Sequence, residues 1–135
     1  YMTHYLANIE EETLGNDDFR KVIFTGANSQ LVLMSLATGE EIGEEVHKNV
    51  DQFFRIEDGL GKVVIDGEEY PVWSDFAFVI PAGTKHNVIN TGDTPLKLYT
   101  LYSPANHIDG RVHKTKAEAL ADVEDEKFGH GNDTK

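Results

Sequence analysis

Between Phe19 and Tyr102 every apolar stretch is cut short by Gly, Pro, Asn or Asp, so the chain has no room there for a packed helix. Short strands are what remain. The pattern predicts them at Phe19 to Thr25, Gln30 to Ala37, a stretch through Glu45 and His47, Gln52 to Ile56, Lys62 to Ile65, Glu68 to Trp73, Phe76 to Ile80, Asn87 to Ile89 and Leu96 to Tyr102. Asp66-Gly67 is a two-residue hairpin signal, and Gly26 to Ser29, Glu57 to Gly61 and Asn90 to Asp93 read as further turns. Short strands at near-regular spacing describe an all-β antiparallel sandwich or barrel. The ends differ in kind. Asn8 caps a short helical turn rich in Glu, and Thr115-Lys116-Ala117-Glu118 opens a single C-terminal helix expected over about 115–127, followed by a polar tail expected to fray.

Four side chains in this frame have the chemistry of a metal site. Glu45 and His47 lie two apart, so on a strand both point to one face. Gln52 follows beyond a bend at Lys48-Asn49, sharing its strand face with Phe54 and Ile56, and His86 follows the turn Pro81-Ala82-Gly83. Two imidazoles, one carboxylate and one amide oxygen carry a single negative charge, so a divalent cation among them stays a Lewis acid. Mixed N/O ligation without sulfur suits Mn, Fe, Ni, Co or Zn and does not select one. Gln52 has a second reading, as a hydrogen-bond partner of a substrate or of a metal-bound water. Asp51 is a weak candidate general base, since a regular strand turns it away from Gln52, toward solvent or a turn. His4, His107, His113 and His130 lack partners at ligand spacing and read as surface or terminal residues, with His113 placed to cover the mouth of a barrel. Trp73, Tyr99, Tyr102 and Phe54 are secondary candidates for lining a pocket and Lys85 for guiding an anion; for strand aromatics core packing, and for an exposed loop lysine solvent, is the default.

The spacing resembles the two cupin motifs. The first, Gly, five residues, His-X-His, three or four residues, Glu, six residues, Gly, is matched in register by Gly39, Glu45-X-His47, Gln52 and Gly59. The second, Gly, five residues, Pro-X-Gly, two residues, His, three residues, Asn, is matched by Asp75, Pro81, Gly83, His86 and Asn90. Asp75, Glu45 and Gln52 depart from the usual identities; the carboxylate moves from the third ligand position to the first. The resemblance spans roughly residues 30–103 and implies a double-stranded β-helix, a jelly-roll barrel, with the site inside it. It also implies a likeness to small proteins grouped with the mannose-6-phosphate isomerase branch, hence a sugar-isomerase-like metal-dependent enzyme on a small polar molecule. A cupin dioxygenase using Fe or Ni and a non-catalytic module binding a sugar or other small ligand are the alternatives. Small cupins commonly pair, which makes a homodimer the expected assembly, with Phe19 to Phe24 placed for strand exchange.

Composition excludes other classes. The 135 residues make one domain's worth of chain, read as a single domain over 1–135. Twelve Lys and Arg against 24 Asp and Glu give a formal charge of −12, which repels nucleic acid and anionic lipid, so neither is an expected partner. Much of that excess sits in Glu10 to Asp18 and Glu118 to Glu126, both read as exposed. No apolar run approaches a membrane span, the N-terminus lacks a signal-peptide pattern and there is no cysteine, which together point to a cytoplasmic protein without disulfides.

Overall fold

The structure, a computed structural model, describes residues 3–134. Nine strands follow a short helix: α1 (Ile9–Leu14), β1 (Arg20–Thr25), β2 (Gln30–Leu36), β3 (Asp51–Asp58), β4 (Gly61–Ile65), β5 (Glu68–Val72), β6 (Ala77–Ile80), β7 (His86–Asn90), β8 (Leu96–Ser103) and β9 (Val112–His113). Two helices, α2 (Lys116–Ala121) and α3 (Val123–His130), and a 3-10 turn at Gly131–Thr134 close the described chain. The strands form a six-stranded sheet in the order β6-β3-β8-β2-β1-β9 and a three-stranded sheet in the order β5-β4-β7. Every pairing is antiparallel, as in a jelly roll.

Alternation of side chains builds the interior. In β8, Leu96, Leu98, Thr100 and Tyr102 are all buried while the residues between them are half-exposed, and in β3 Gln52, Phe54 and Ile56 are buried in the same way. The apolar members of both sets join Val32, Met34, Leu36, Val63 and Val88 in one contiguous core. Each fully buried large apolar side chain there contributes about 1.5–3 kcal/mol relative to exposure. The Asp66-Gly67 hairpin has φ of 49° and 85°, two left-handed residues in succession, the geometry that ties β4 to β5 in a two-residue turn. Asp75, standing where the motif has glycine, also has a positive φ, 74°. Aspartate tolerates that region better than most residues, and its carboxylate takes an ion pair from Arg55 at 2.9 Å.

Three expectations change. The stretch through Glu45 and His47 is not a regular strand; it touches β7 through isolated bridges, Glu41 to Ile89 and Glu45 to His86. Gly43, at φ 112°, interrupts it. The C-terminal helix is two helices, because Asp122 leaves helical geometry at ψ 83° and its side chain caps α3 by accepting from the Asp125 N–H. The tail past Phe128 is packed: Asn132 is buried and its amide donates to the Ala105 carbonyl. α1 forms as expected, with Asn8 accepting from the Glu11 N–H. β1 takes both neighbours, β2 and β9, from its own chain.

Candidate metal centre

The four predicted donors come from three elements on both sheets. Glu45 and His86 sit opposite each other, exchanging both backbone hydrogen bonds at 2.9 and 3.0 Å. His47 is tied to the Pro81-Ala82-Gly83 turn through its carbonyl, which accepts from the Gly83 N–H at 2.8 Å. Gln52 enters from β3 on the other sheet, between Ile80 of β6 and Tyr102 of β8. Glu45, His47 and His86 each place one ligand atom within 4.8 Å of the others, and the two imidazole centroids are 5.5 Å apart.

Hydrogen bonding decides which atoms face inward. His86 Nδ1 lies 3.0 Å from the Thr84 carbonyl, which can only accept, so Nδ1 carries the proton and Nε2 is left as a lone pair in the neutral ring. Thr100 does the same for Gln52. Its single hydroxyl proton goes to the Phe53 carbonyl at 2.8 Å, so toward Gln52 it can only accept, and it accepts from Nε2 at 2.9 Å. The amide is thereby oriented with Oε1 free. His47 Nε2, His86 Nε2 and Gln52 Oε1 are all buried without a hydrogen-bond partner among the described residues. A buried orphan polar atom costs about 1–3 kcal/mol, and the two imidazole nitrogens that converge with Glu45 fit a cation that accepts lone pairs. Burial first, with the His86 ring adding to it, pulls the His47 pKa below its ordinary value against the pull of Glu45, which favours the neutral ring a metal needs.

Beside these donors lies a cavity of about 400 Å³ whose lining includes Phe19, Arg20, Ile42, Glu45, His47 and His107, with α2 and α3 forming its outer wall. Asp51 does not line it. Asp51 is exposed, and its Oδ1 accepts from the Ala82 N–H at 2.8 Å, which fixes the turn before His86. Trp73 is about half exposed, Phe54 and Tyr102 are core residues, and Lys85 is exposed with Glu44 3.7 Å away.

Two histidines expected at the surface are buried. His107 donates from Nδ1 to Asp125 Oδ2 at 2.7 Å, and its Nε2 lies 3.1 Å from the Tyr102 hydroxyl, whose proton it accepts. Burial lowers the His107 pKa despite Asp125 and raises that of Tyr102, so the relay is neutral at its Tyr and His ends. His113 is held by Asp122 at 2.8 Å. The reason is tertiary: α2 and α3 fold back over the sheet and bring Asp122 and Asp125 down on these rings, so the 118–126 acidic stretch is only partly exposed. His113, Asp122 and Asp125 form a second group with metal-compatible spacing, but both carboxylates are already engaged by ring nitrogens and backbone N–H groups. His4 and His130 are exposed, as expected.

One cavity residue escaped the sequence reading. Arg20 is only 8% exposed, and its neighbour on the same strand face, Val22, is in the core. The alternation Arg20, Val22 was the available signal, since a strand whose Val is buried carries its i−2 residue to the same side.

Comparison with known proteins agrees with this architecture. The cupin domain family matches residues 32–102. The Bacillus subtilis protein YrkC is 51% identical over 123 residues, covering 87% of this chain and 66% of its own length. An Acanthamoeba polyphaga mimivirus protein is 44% identical over 80% of this chain and 70% of its own. The chain thus spans about two thirds of the length of these relatives. A Bacillus halodurans protein of known crystal structure superimposes with a TM-score of 0.85 at 47% identity, over 87% of this chain and 93% of that one. With its two-sheet barrel and motif residues in register, the chain belongs to the cupin family.

Proposed function

We propose that this cupin holds one divalent transition metal through Glu45, His47, Gln52 and His86 and works as a metal-dependent enzyme on a small polar molecule, by sugar-isomerase-like proton transfer. The observation that carries the reading is the set of three buried, partnerless lone-pair atoms, His47 Nε2, His86 Nε2 and Gln52 Oε1, with the Glu45 carboxylate beside the two imidazoles. A divalent ion bound there supplies Lewis-acid polarisation to a carbonyl or hydroxyl oxygen. The chain's own part is positional. The Thr84 carbonyl and the Thr100 hydroxyl hold His86 and Gln52 in donor orientation, the core around Phe54 and Tyr102 keeps water from behind them, and the adjacent cavity admits the ligand. A second reading, binding without turnover, is favoured by the state of Asp125: this cavity-lining acid has one oxygen on His107 and the other on the Ile108 N–H, so neither is free to take a proton from a ligand.

Elemental analysis of the purified chain and of its Glu45→Ala, His47→Ala, Gln52→Ala and His86→Ala variants tests the metal. The proposal expects near-stoichiometric metal in the parent and a large loss in both histidine variants; a parent without metal after supplementation ends it. Screening the loaded protein for isomerisation of small sugars and sugar derivatives then separates turnover from binding.

A further inference from the structure

Among the described residues two cations of the cavity wall, Arg20 and Lys116, have no ion pair, and of these Arg20 is the buried one while Lys116 is half-exposed. The Arg20 side chain is more than nine-tenths buried, Nε has no partner, and no hydrogen bond or ion pair to the guanidinium exists among the described residues. Its close side-chain contact is the Phe19 ring, 5.2 Å below the guanidinium carbon. Every other arginine in the chain, Arg55 and Arg111, is ion-paired at 2.6–3.5 Å. Asp125 feels the Arg20 guanidinium's charge through space without bonding it, so the buried N–H donors keep a desolvation cost that an oxyanion removes. Arg20 lines the same cavity as Glu45 and His47, so an anion held by it lies in the space next to the metal donors.

We infer that Arg20 is the recognition residue for a carboxylate on the substrate, which makes the ligand a small organic acid. The inference rests on the reading of this cavity as the ligand site. Its planar fork matches a carboxylate in bidentate fashion. A phosphate would satisfy the same fork, but the cavity wall also carries Glu44, Glu45, Asp125, Glu126 and Asp133, and against these a monoanion is less repelled than a dianion. Stacking on Phe19 and the strand backbone hold the guanidinium in place before the ligand arrives, which lowers the ordering cost of binding.

Three probes on one hexose frame test it: glucose, glucuronate and glucose 6-phosphate, each titrated calorimetrically into the full chain, metal-loaded and metal-depleted. The inference predicts glucuronate as the tightest of the three in both forms, by about tenfold or more over glucose. Arg20→Gln abolishes that preference, and Arg20→Lys, which keeps the charge and loses the fork, retains part of it. Equal affinity for glucose and glucuronate, tighter binding of the phosphate, absence of glucuronate binding at millimolar concentration, or an unchanged preference in folded Arg20→Gln each overturns it. Should Arg20→Gln fail to fold, the parent's ratio and Arg20→Lys still decide. A charge preference in a protein that takes up no metal would sink the metal proposal alone, and full metal occupancy without a charge preference would sink this inference alone.

Discussion

Thr100 spends its only proton on the Phe53 carbonyl, and through that bond it governs the direction of a glutamine two residues from a turn. Replacing it with an isosteric valine leaves Gln52 free to rotate its amide. Outer-shell partners of this kind are worth about 10–100-fold in metal affinity, so Thr100→Val is expected to weaken binding by that order while costing about 1–3 kcal/mol of stability for the amide left unpaired. Competition with a chelating dye reads the first effect and urea titration the second. If metal affinity is unchanged in a folded Thr100→Val, Gln52 is not a ligand and its Oε1 must serve the substrate instead. At this scale the sequence was most informative. Glu45, His47 and His86 were legible from their spacing and from the turn before His86, and the structure brings a ligand atom of each within 4.8 Å of the others. Arg20 was not sought because charged residues on a short edge-like strand usually face water, and only the β9 strand, formed far along the chain, covers that edge.

The outer wall of the cavity depends on how closely α3 can approach the loop after β8. Gly129 makes that approach possible: a Cβ there would stand 2.9 Å from the Asn106 carbonyl oxygen and 3.3 Å from its side-chain oxygen. Alanine in a helix is worth up to about 1 kcal/mol over glycine, while overpacking against fixed backbone costs about 1–3 kcal/mol. The clash wins, and Gly129→Ala is expected to lower the thermal midpoint while metal stoichiometry stays unchanged; a raised midpoint would mean that α3 is not docked this tightly. The β elements were readable from alternation, as in Leu96 to Tyr102, and the capping box at Thr115 and Glu118 announced α2 correctly. The break at Asp122 has a local signal, an aspartate suited to cap the helix that follows, but it lies within a run of helix formers; Asp122 bonds both His113 and the Asp125 N–H. The segment holding Glu45 and His47 has strand periodicity without strand geometry for a different reason: its pairing with β7 is interrupted at Gly43, which only the fold reveals.

For the molecule as a whole, two pH effects oppose each other. Burial lowers the pKa of His107 and of His47 below the ordinary value of 6.5, so between their folded values and 6.5 the unfolded chain holds more protons and stability rises with pH. The net charge of −12 works the other way, since acid relieves self-repulsion. At about 0.15 M salt, where screening acts over roughly 8 Å, the surface term shrinks more than the buried one. Metal-free protein is therefore expected to lose denaturant resistance from about pH 7.5 to about pH 5, with a shallower slope in His107→Gln; a flat or inverted profile at that salt would mean that neither imidazole is buried neutral. No helix among the described residues is long and apolar enough to cross a membrane.

The proposed cation site of Glu45, His47, Gln52 and His86 is addressed directly by anomalous diffraction from crystals grown with zinc or manganese. The account predicts a single strong peak at bonding distance, about 2.0–2.2 Å, from Nε2 of His47, Nε2 of His86, a Glu45 carboxylate oxygen and Gln52 Oε1. A map without that peak, or with its only peak at His113, Asp122 and Asp125, would contradict it.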